Sequence, residues 1–129
     1  MATHNDLGRL AEQEAANWLE SRGYTLLEAN YRYQHAEIDL IMTHQGLLIF
    51  IEVKFRSGTG FGYAEEFVQA AKKRLIVKAA DQYIYKKDWH HDIRFDIVGV
   101  YLDPQGRLHF KQFEDAFYWT LNRKHHRFF

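Results

Sequence analysis

The chain contains no cysteine and only one proline, Pro104. Without cysteine it forms neither a disulfide nor a thiolate metal site. Its longest apolar run, residues 46–51, is much too short to cross a bilayer. The first ten residues lack the charged-then-apolar layout of a secretory signal. These absences lead us to expect a cytoplasmic protein with no membrane partner.

A net charge is also absent, since 17 Lys and Arg balance 17 Asp and Glu in 129 residues. Residues 1–66, however, hold ten acidic and five basic side chains, whereas residues 67–129 hold seven acidic and twelve basic. This asymmetry indicates either an acidic cluster beside a basic surface or ordinary scatter of surface charge. No repeat or linker divides the chain, so the sequence predicts one domain over residues 1–129. Its core is expected at about 7–117, with a basic, aromatic tail at 118–129.

Apolar periodicity predicts helices and strands in alternation. Asn5 or Asp6 is expected to cap a first helix that runs to about Arg22, with Gly23 at its C-cap, and a second helix is expected from about Ala64 to Tyr85. Alternating or apolar segments predict strands at 24–33, 36–44, 47–55, 93–102 and 107–113, and a short helix over 114–121. Turn residues at Gln45-Gly46 join the second and third strands as a hairpin, and 56–62 read as a glycine-rich loop. The order predicts an α/β fold with a mixed central sheet flanked by helices.

The third strand begins as an apolar segment and then includes Glu52 and Lys54. Charged residues of these types are rarely buried unless they are paired. Strand side chains alternate between faces, so Glu52 and Lys54 are expected on one face and Val53 on the other.

The second strand carries a matching pair of acids. Alternation predicts Glu37 and Asp39 on one face, with Ile38 and Leu40 on the other. If the hairpin pairs through Gln45-Gly46, Asp39 can converge with the charged residues of the third strand at one end of the hairpin.

Such a group suits phosphodiester hydrolysis. Clustered carboxylates repel each other, and a hard divalent cation such as Mg²⁺ relieves the repulsion because it takes oxygen ligands. A bound cation activates water, and a neighbouring lysine orients that water or neutralises developing charge. The alternative is a cross-strand salt-bridge patch on a solvated face of the sheet. The residue pattern by itself leaves both open.

Several motifs, in this order, resemble the YraN-like family of small bacterial proteins. They are LGRLAEQEAANWLESRGYTLLEANYRY, AEIDLI, FIEVKFR, FGYAEEFV followed by Lys72, and RFDIVGV. The resemblance extends from about Leu7 to Phe117. The family is assigned to the restriction-endonuclease-like superfamily, and the motif layout also resembles that of archaeal Holliday-junction resolvases. The resemblance implies an αβββαβ core with an Asp…Glu-x-Lys nuclease site on the hairpin and a requirement for Mg²⁺ or Mn²⁺.

The resemblance also assigns roles to residues of this chain. Asp39 and Glu52 match the metal-binding acids, and the backbone carbonyl of Val53 is expected as a further ligand. Lys54 matches the catalytic lysine. Glu12 matches a first-helix glutamate that resolvase-like members place beside the metal.

Other matching or basic residues are expected around this centre. Glu37 matches the glutamate of the family's GEIDLI stretch. Lys72 matches a basic position that contacts phosphate, and Lys73, Arg74 and Arg56 are expected to add nucleic-acid contacts. A solvated helix face is the alternative for the basic residues on the second helix.

The chain departs from the family pattern at two positions. Ala11 and Ala36 stand where the family usually has glycine, a change that matters if the backbone there needs a positive φ. The helical pattern also places Glu14 inside the apolar stripe and Glu12 only at its edge. Periodicity therefore nominates Glu14 as the inward-facing acid, whereas the motif match nominates Glu12.

These inferences lead to three possible functions. The first is a metal-dependent endonuclease acting on DNA rather than RNA, on branched or damaged structures, with a homodimer cutting two strands symmetrically. The second is a nucleic-acid-binding module of the same fold that does not cleave. The third is a protein-interaction domain that uses the charge asymmetry. The complete set of Glu12, Asp39, Glu52 and Lys54 favours the first over the second.

Overall fold

The computed structural model describes residues 4–57 and 70–116. Its elements follow in the order α1 (His4–Ser21), β1 (Thr25–Tyr33), β2 (Ala36–His44), β3 (Leu47–Ser57), α2 (Ala70–Lys86), β4 (Ile93–Leu102) and β5 (Leu108–Phe113). The first six elements have the αβββαβ order. The predicted α/β fold class is therefore confirmed.

The five strands form one mixed sheet whose spatial order, β1-β2-β3-β4-β5, equals their order in the chain. Neighbours are antiparallel except β3 and β4, which are parallel from the pair Leu48–Ile93 to the pair Ser57–Leu102. Parallel neighbours need a long crossover connection, and α2 lies within it. The sheet thus contains the predicted hairpin and one crossover.

Residues with left-handed backbone end α1 and turn the hairpin. Gly23 has φ +95°, and the N–H of Tyr24 donates to the carbonyl of Leu19 at 3.1 Å, which is the bond of a Schellman C-cap. Gln45 and Gly46 have φ +51° and +82°, as the two central residues of a type I′ turn require. Both features were predicted at these positions.

Each of the two described helices covers one face of the sheet. The core beneath α2 comprises Ala36, Ile38, Ile41, Leu48, Phe50, Ile76, Val77, Ala79, Ala80, Tyr83, Ile84, Phe95 and Ile97. The core beneath α1 comprises Ala11, Ala15, Ala16, Leu19, Tyr24, Leu40, Met42, Ile49, Ile51, Val53, Val98 and Val100. Neither of the two described helices is long and apolar enough to span a membrane.

Some predicted boundaries are corrected. Asn5 and Asp6, expected to cap the first helix, lie inside α1, which already includes His4. The strand β3 continues two residues beyond Phe55, because Arg56 and Ser57 still pair with β4. The helix predicted from Glu114 does not begin there: residues 114–115 form a turn, and Asp115 has φ +54°. The predicted start of the second helix at Ala64, most of the glycine-rich loop and the tail lie outside the described residues.

The predicted alternation along β2 is wrong at one step. Ile38 packs in the core beneath α2, whereas Leu40 packs in the core beneath α1, so the two do not share a face. Across from the intervening Asp39, Asn30 of β1 has φ +54°, a conformation outside the β region. The regular two-residue period is therefore lost where the candidate acids lie.

Candidate active site

The two candidate acids lie where β2 and β3 separate. The β2–β3 ladder ends at the pair Leu40–Ile51, and Asp39 and Glu52 are the next residues of the two strands. The N–H of Val53 donates to Oδ2 of Asp39 at 2.8 Å. A side-chain carboxylate thus satisfies a backbone donor beyond the end of the ladder. This bond fixes the position of the Asp39 carboxyl group.

Both carboxyl groups are buried. The exposed fraction is 8% for Asp39 and 3% for Glu52. Oε1 of Glu52 has no hydrogen-bond partner among the described residues. Burial, and after it the nearby charge of Glu52, raise the pKa of Asp39 to about 9, and the charge of Glu12 adds to the effect. At neutral pH the Asp39 carboxyl group therefore keeps its proton unless a cation takes its place.

Two lysines contact the same oxygen of Glu52. Nζ of Lys54 lies 3.8 Å from Oε2 of Glu52, and the ammonium group of Lys72 forms an ion pair with that oxygen. Burial lowers the pKa of Lys72, but the interaction with Glu52 outweighs it, so the net pKa is raised. Lys72 is therefore a stable cation in this site.

An open pocket of about 580 Å³ lies between α1 and α2 at this end of the hairpin. Its walls are Glu12, His35, Ala36, Glu37, Asp39, Ala71, Lys72, Leu75 and Ile76. Asp39 borders the pocket directly, and Lys72 links the pocket wall to the buried Glu52. A ligand in the pocket would therefore meet three acids, a lysine and a histidine.

The acids of α1 and the β1–β2 hairpin are joined by Asn30. Its amide nitrogen Nδ2 donates to Oε1 of Glu12 at 2.9 Å and to Oε2 of Glu37 at 2.8 Å. An Arg32 guanidinium nitrogen lies 3.0 Å from Oε1 of Glu37. Glu37 thus has two partners in the fold, and its catalytic role stays a prediction.

The structure brings the predicted central residues to one place. Asp39, Glu52, Lys54 and Lys72 interact with one another, and the motif-based choice of Glu12 lines the pocket. Among the described residues that line this pocket, Glu14 is absent. Val53 supports Asp39 through its N–H. A ligand role for the Val53 carbonyl stays a prediction.

The remaining basic residues are placed at the surface. Arg56 and Arg74 are exposed and Lys73 is half-buried. None of them is among the described residues that line the pocket. Their contacts with nucleic acid stay predictions, and so does the contact of Lys72 with phosphate.

The carboxylate oxygens of these acids are the type of donor atom that a hard divalent cation binds. Among residues 4–57 and 70–116, no group of three or more His, Cys, Asp or Glu side chains is placed to hold a metal ion. Mg²⁺, however, is commonly held by one or two carboxylates together with water and substrate phosphates. The mutual repulsion of Asp39 and Glu52, and the unpartnered Oε1 of Glu52, are what such a cation would relieve.

Sequence reasoning missed Asn30 and His35, both of which contribute to the site. Asparagine is uncommon in strands and tolerates left-handed backbone, so Asn30 within a predicted strand was the available signal. His35 lies at a hairpin turn, and only the fold shows that this turn borders the pocket.

A buried ion pair in the RFDIVGV motif was also missed. Asp96 is fully buried and accepts two bonds from the Arg94 guanidinium, at 2.8 and 2.9 Å. Gln112 and the N–H of Asp115 each donate to it at 2.9 Å. These bonds tie β4 to β5 and hold residues 114–115 in a turn instead of a helix. Asp96 is thereby assigned to the structure of the fold, away from the pocket.

Comparison with known proteins identifies relatives over most of the chain. The model of the uncharacterised protein family UPF0102 matches residues 11–100. A UPF0102 protein of Flavobacterium psychrophilum is 45% identical over 118 residues, covering 92% of this chain and 98% of that protein. One from Bacteroides thetaiotaomicron is 36% identical over 121 residues, covering 94% and 99%. The chain therefore belongs to family UPF0102, which is the YraN-like family that its motifs indicated.

Proposed function

We propose that this protein is an endonuclease that hydrolyses phosphodiester bonds of DNA with Mg²⁺ or Mn²⁺. The observation that carries the proposal is the buried pair Asp39–Glu52, in contact with Lys54 and Lys72, at the edge of an open pocket.

The burial of these acids argues against a simple surface salt-bridge patch. Exposed ion pairs contribute little and leave their charges in water. Here Asp39 and Glu52 are more than nine-tenths buried, and one carboxylate oxygen has no described partner. Two repelling carboxyl groups in such a place raise the energy of the fold unless a ligand compensates them. Arrangements of this kind are concentrated at functional sites.

Each residue has a defined part in the proposed reaction. Asp39 and Glu52 would hold the cation, with Glu12 and the Val53 carbonyl as further oxygen donors. The cation, when bound, would make a water molecule more acidic and stabilise charge on the phosphate. Lys54 would orient the attacking water and stabilise the negative charge that develops on the phosphate oxygens.

The surroundings of the pocket suit a polyanionic substrate. Lys72, Lys73, Arg74 and Arg56 supply positive charge near the acids or on the adjoining surfaces, and lysine and arginine are the usual partners of phosphate. A homodimer would be required if the substrate is a branched DNA cut symmetrically in two strands. Sedimentation of the protein with and without a four-way junction would test this part of the proposal.

The ion pair of Lys72 with Glu52 favours one alternative. The ammonium group of Lys72 partly balances the negative charge of Glu52, so the folded site would not need a bound metal cation. In that case the protein would be a nucleic-acid-binding module of the same fold that does not cleave.

A cleavage panel tests the two functions. Single-stranded, duplex, flap and four-way-junction DNA, with matched RNA, would be incubated with Mg²⁺ or Mn²⁺. We expect metal-dependent cutting of at least one DNA, reduced about 100-fold or more in Lys54→Ala and Asp39→Asn. Lys87→Ala, which removes an exposed lysine outside the pocket, should cut normally. Binding of the same substrates without any cutting would support the module, and equal cutting by all variants would contradict the assigned site.

A further inference from the structure

Asn30 adopts a conformation that a strand residue normally avoids. It lies within β1 yet has φ +54°. Its neighbours pair across the sheet in register, Ala29 with Leu40 and Tyr31 with Ile38, so Asn30 is opposite Asp39. Between these two pairs, Asn30 and Asp39 do not form a regular strand pair. The left-handed residue thus coincides with the point where Asp39 leaves regular strand pairing.

The side chain of Asn30 is oriented by its neighbours. The amide nitrogen donates to one oxygen of Glu12 and to one oxygen of Glu37. Only the NH₂ end of an asparagine amide can donate, so two carboxylate acceptors determine which end faces them. One small side chain therefore connects α1 with β2 directly beside the candidate acids.

We infer that Asn30 is a positioning residue of the cation site, and this inference rests on the proposed function. Its backbone releases Asp39 from the β1–β2 ladder so that Asp39 accepts the bond from Val53. Its amide holds the Glu12 carboxylate at the pocket and leaves Glu37 in its ion pair with Arg32. The residue acts through these acids and touches neither cation nor substrate.

Substitution by glycine distinguishes the contribution of the Asn30 side-chain amide from that of its backbone conformation. Asn30→Gly keeps access to positive φ and loses both hydrogen bonds. Gln34→Gly is the matched control, because Gln34 also has a positive φ, of +55°, and lies at the β1–β2 turn. Asn30→Ser, whose single O–H cannot donate to both carboxylates, replaces Asn30→Gly if that variant does not fold.

The measurement is the affinity for Mn²⁺ alone, by titration calorimetry of the full chain. We expect Asn30→Gly to weaken Mn²⁺ binding about 10-fold, as loss of a residue that orients a ligand does. Gln34→Gly should bind like the native protein. In a Glu12→Gln background the same Asn30→Gly change should alter the affinity less than about 2-fold, because its effect passes through Glu12.

The outcomes distinguish this inference from the function on which it rests. If native protein binds Mn²⁺ and Asn30→Gly binds it equally well, the positioning role is wrong while the cation site stands. An equal loss in both backgrounds would show that the effect of Asn30 does not pass through Glu12, and would overturn that role. If native protein binds no Mn²⁺, the proposed metal dependence and the role of Asn30 both fail.

Discussion

The Asp39→Asn variant is expected to be more stable than the native protein, although the proposed DNA cleavage should be at least about 100-fold weaker. Asparagine has nearly the shape of aspartate, and its oxygen can still accept the bond from the Val53 N–H. It carries no charge, so the buried repulsion with Glu52 disappears. If Asp39 has the proposed catalytic role, this gain in stability would be a form of stability–activity trade-off.

The size of the effect follows from the pKa of Asp39. The pKa is raised from 3.8 to about 9 in the folded chain. Between these values the folded state keeps a proton that the unfolded state has released, so the native protein loses stability as the pH rises. One proton corresponds to at most about 1.4 kcal/mol per pH unit. The gap is the unfolding free energy of the Asp39→Asn variant minus that of the native protein. From about pH 5 to about pH 8 this gap should therefore grow by up to about 4 kcal/mol.

Urea unfolding, followed by tryptophan fluorescence at each pH in the presence of a chelator, measures this gap. All other titrating groups are present in both proteins, so the difference between them reports Asp39 and its interaction with Glu52. Asp92→Asn, at an exposed aspartate, makes the same chemical change and is the control. A gap for Asp39→Asn that does not change with pH would refute the reasoning. Millimolar Mg²⁺ should narrow the gap at about pH 8, since a cation stabilises the ionised pair.

Three further substitutions test other parts of the structure by urea unfolding. Asp96→Ala should lower the unfolding free energy by about 3–5 kcal/mol, because it leaves the Arg94 guanidinium half-buried without its main partner; a loss below about 1 kcal/mol would contradict the structural role. Gly23→Ala should cost about 1 kcal/mol, since alanine is strained at φ +95°, and no loss would show that α1 ends differently. Lys72→Met should destabilise the protein near neutral pH, because the buried Glu52 loses its closest cation, and Mn²⁺ should reverse part of the loss; an unchanged stability would argue against the ion pair.

Much of the fold could be predicted from local sequence patterns. The C-cap at Gly23, the Gln45-Gly46 turn and the apolar periods depend on residues close in sequence, and the elements they predict are present. The extension of β3 through Ser57 depends on pairing with β4, which is distant in the chain. Likewise the turn at 114–115 depends on Asp96. Non-local partners decided the features that local patterns missed.

The candidate site could be predicted from the sequence to a similar degree. Motifs nominated Asp39, Glu52 and Lys54, and these residues do come together. The rule of strict alternation failed beside Asp39 because Asn30 distorts the neighbouring strand. That Lys72 would contact Glu52 could not be predicted either, since it depends on how α2 docks on the sheet.

The agreement between strand order and chain order has a consequence for folding kinetics. The β1–β2 and β2–β3 hairpins need only short loop closures, whereas β4 joins the sheet after a much longer one. Asp39 and Glu52 can therefore meet within a hairpin before α2 delivers Lys72. We expect the transition state to carry their repulsion without its compensating charge. Asp39→Asn should then accelerate folding more than it slows unfolding, which would mark this hairpin as part of the folding nucleus.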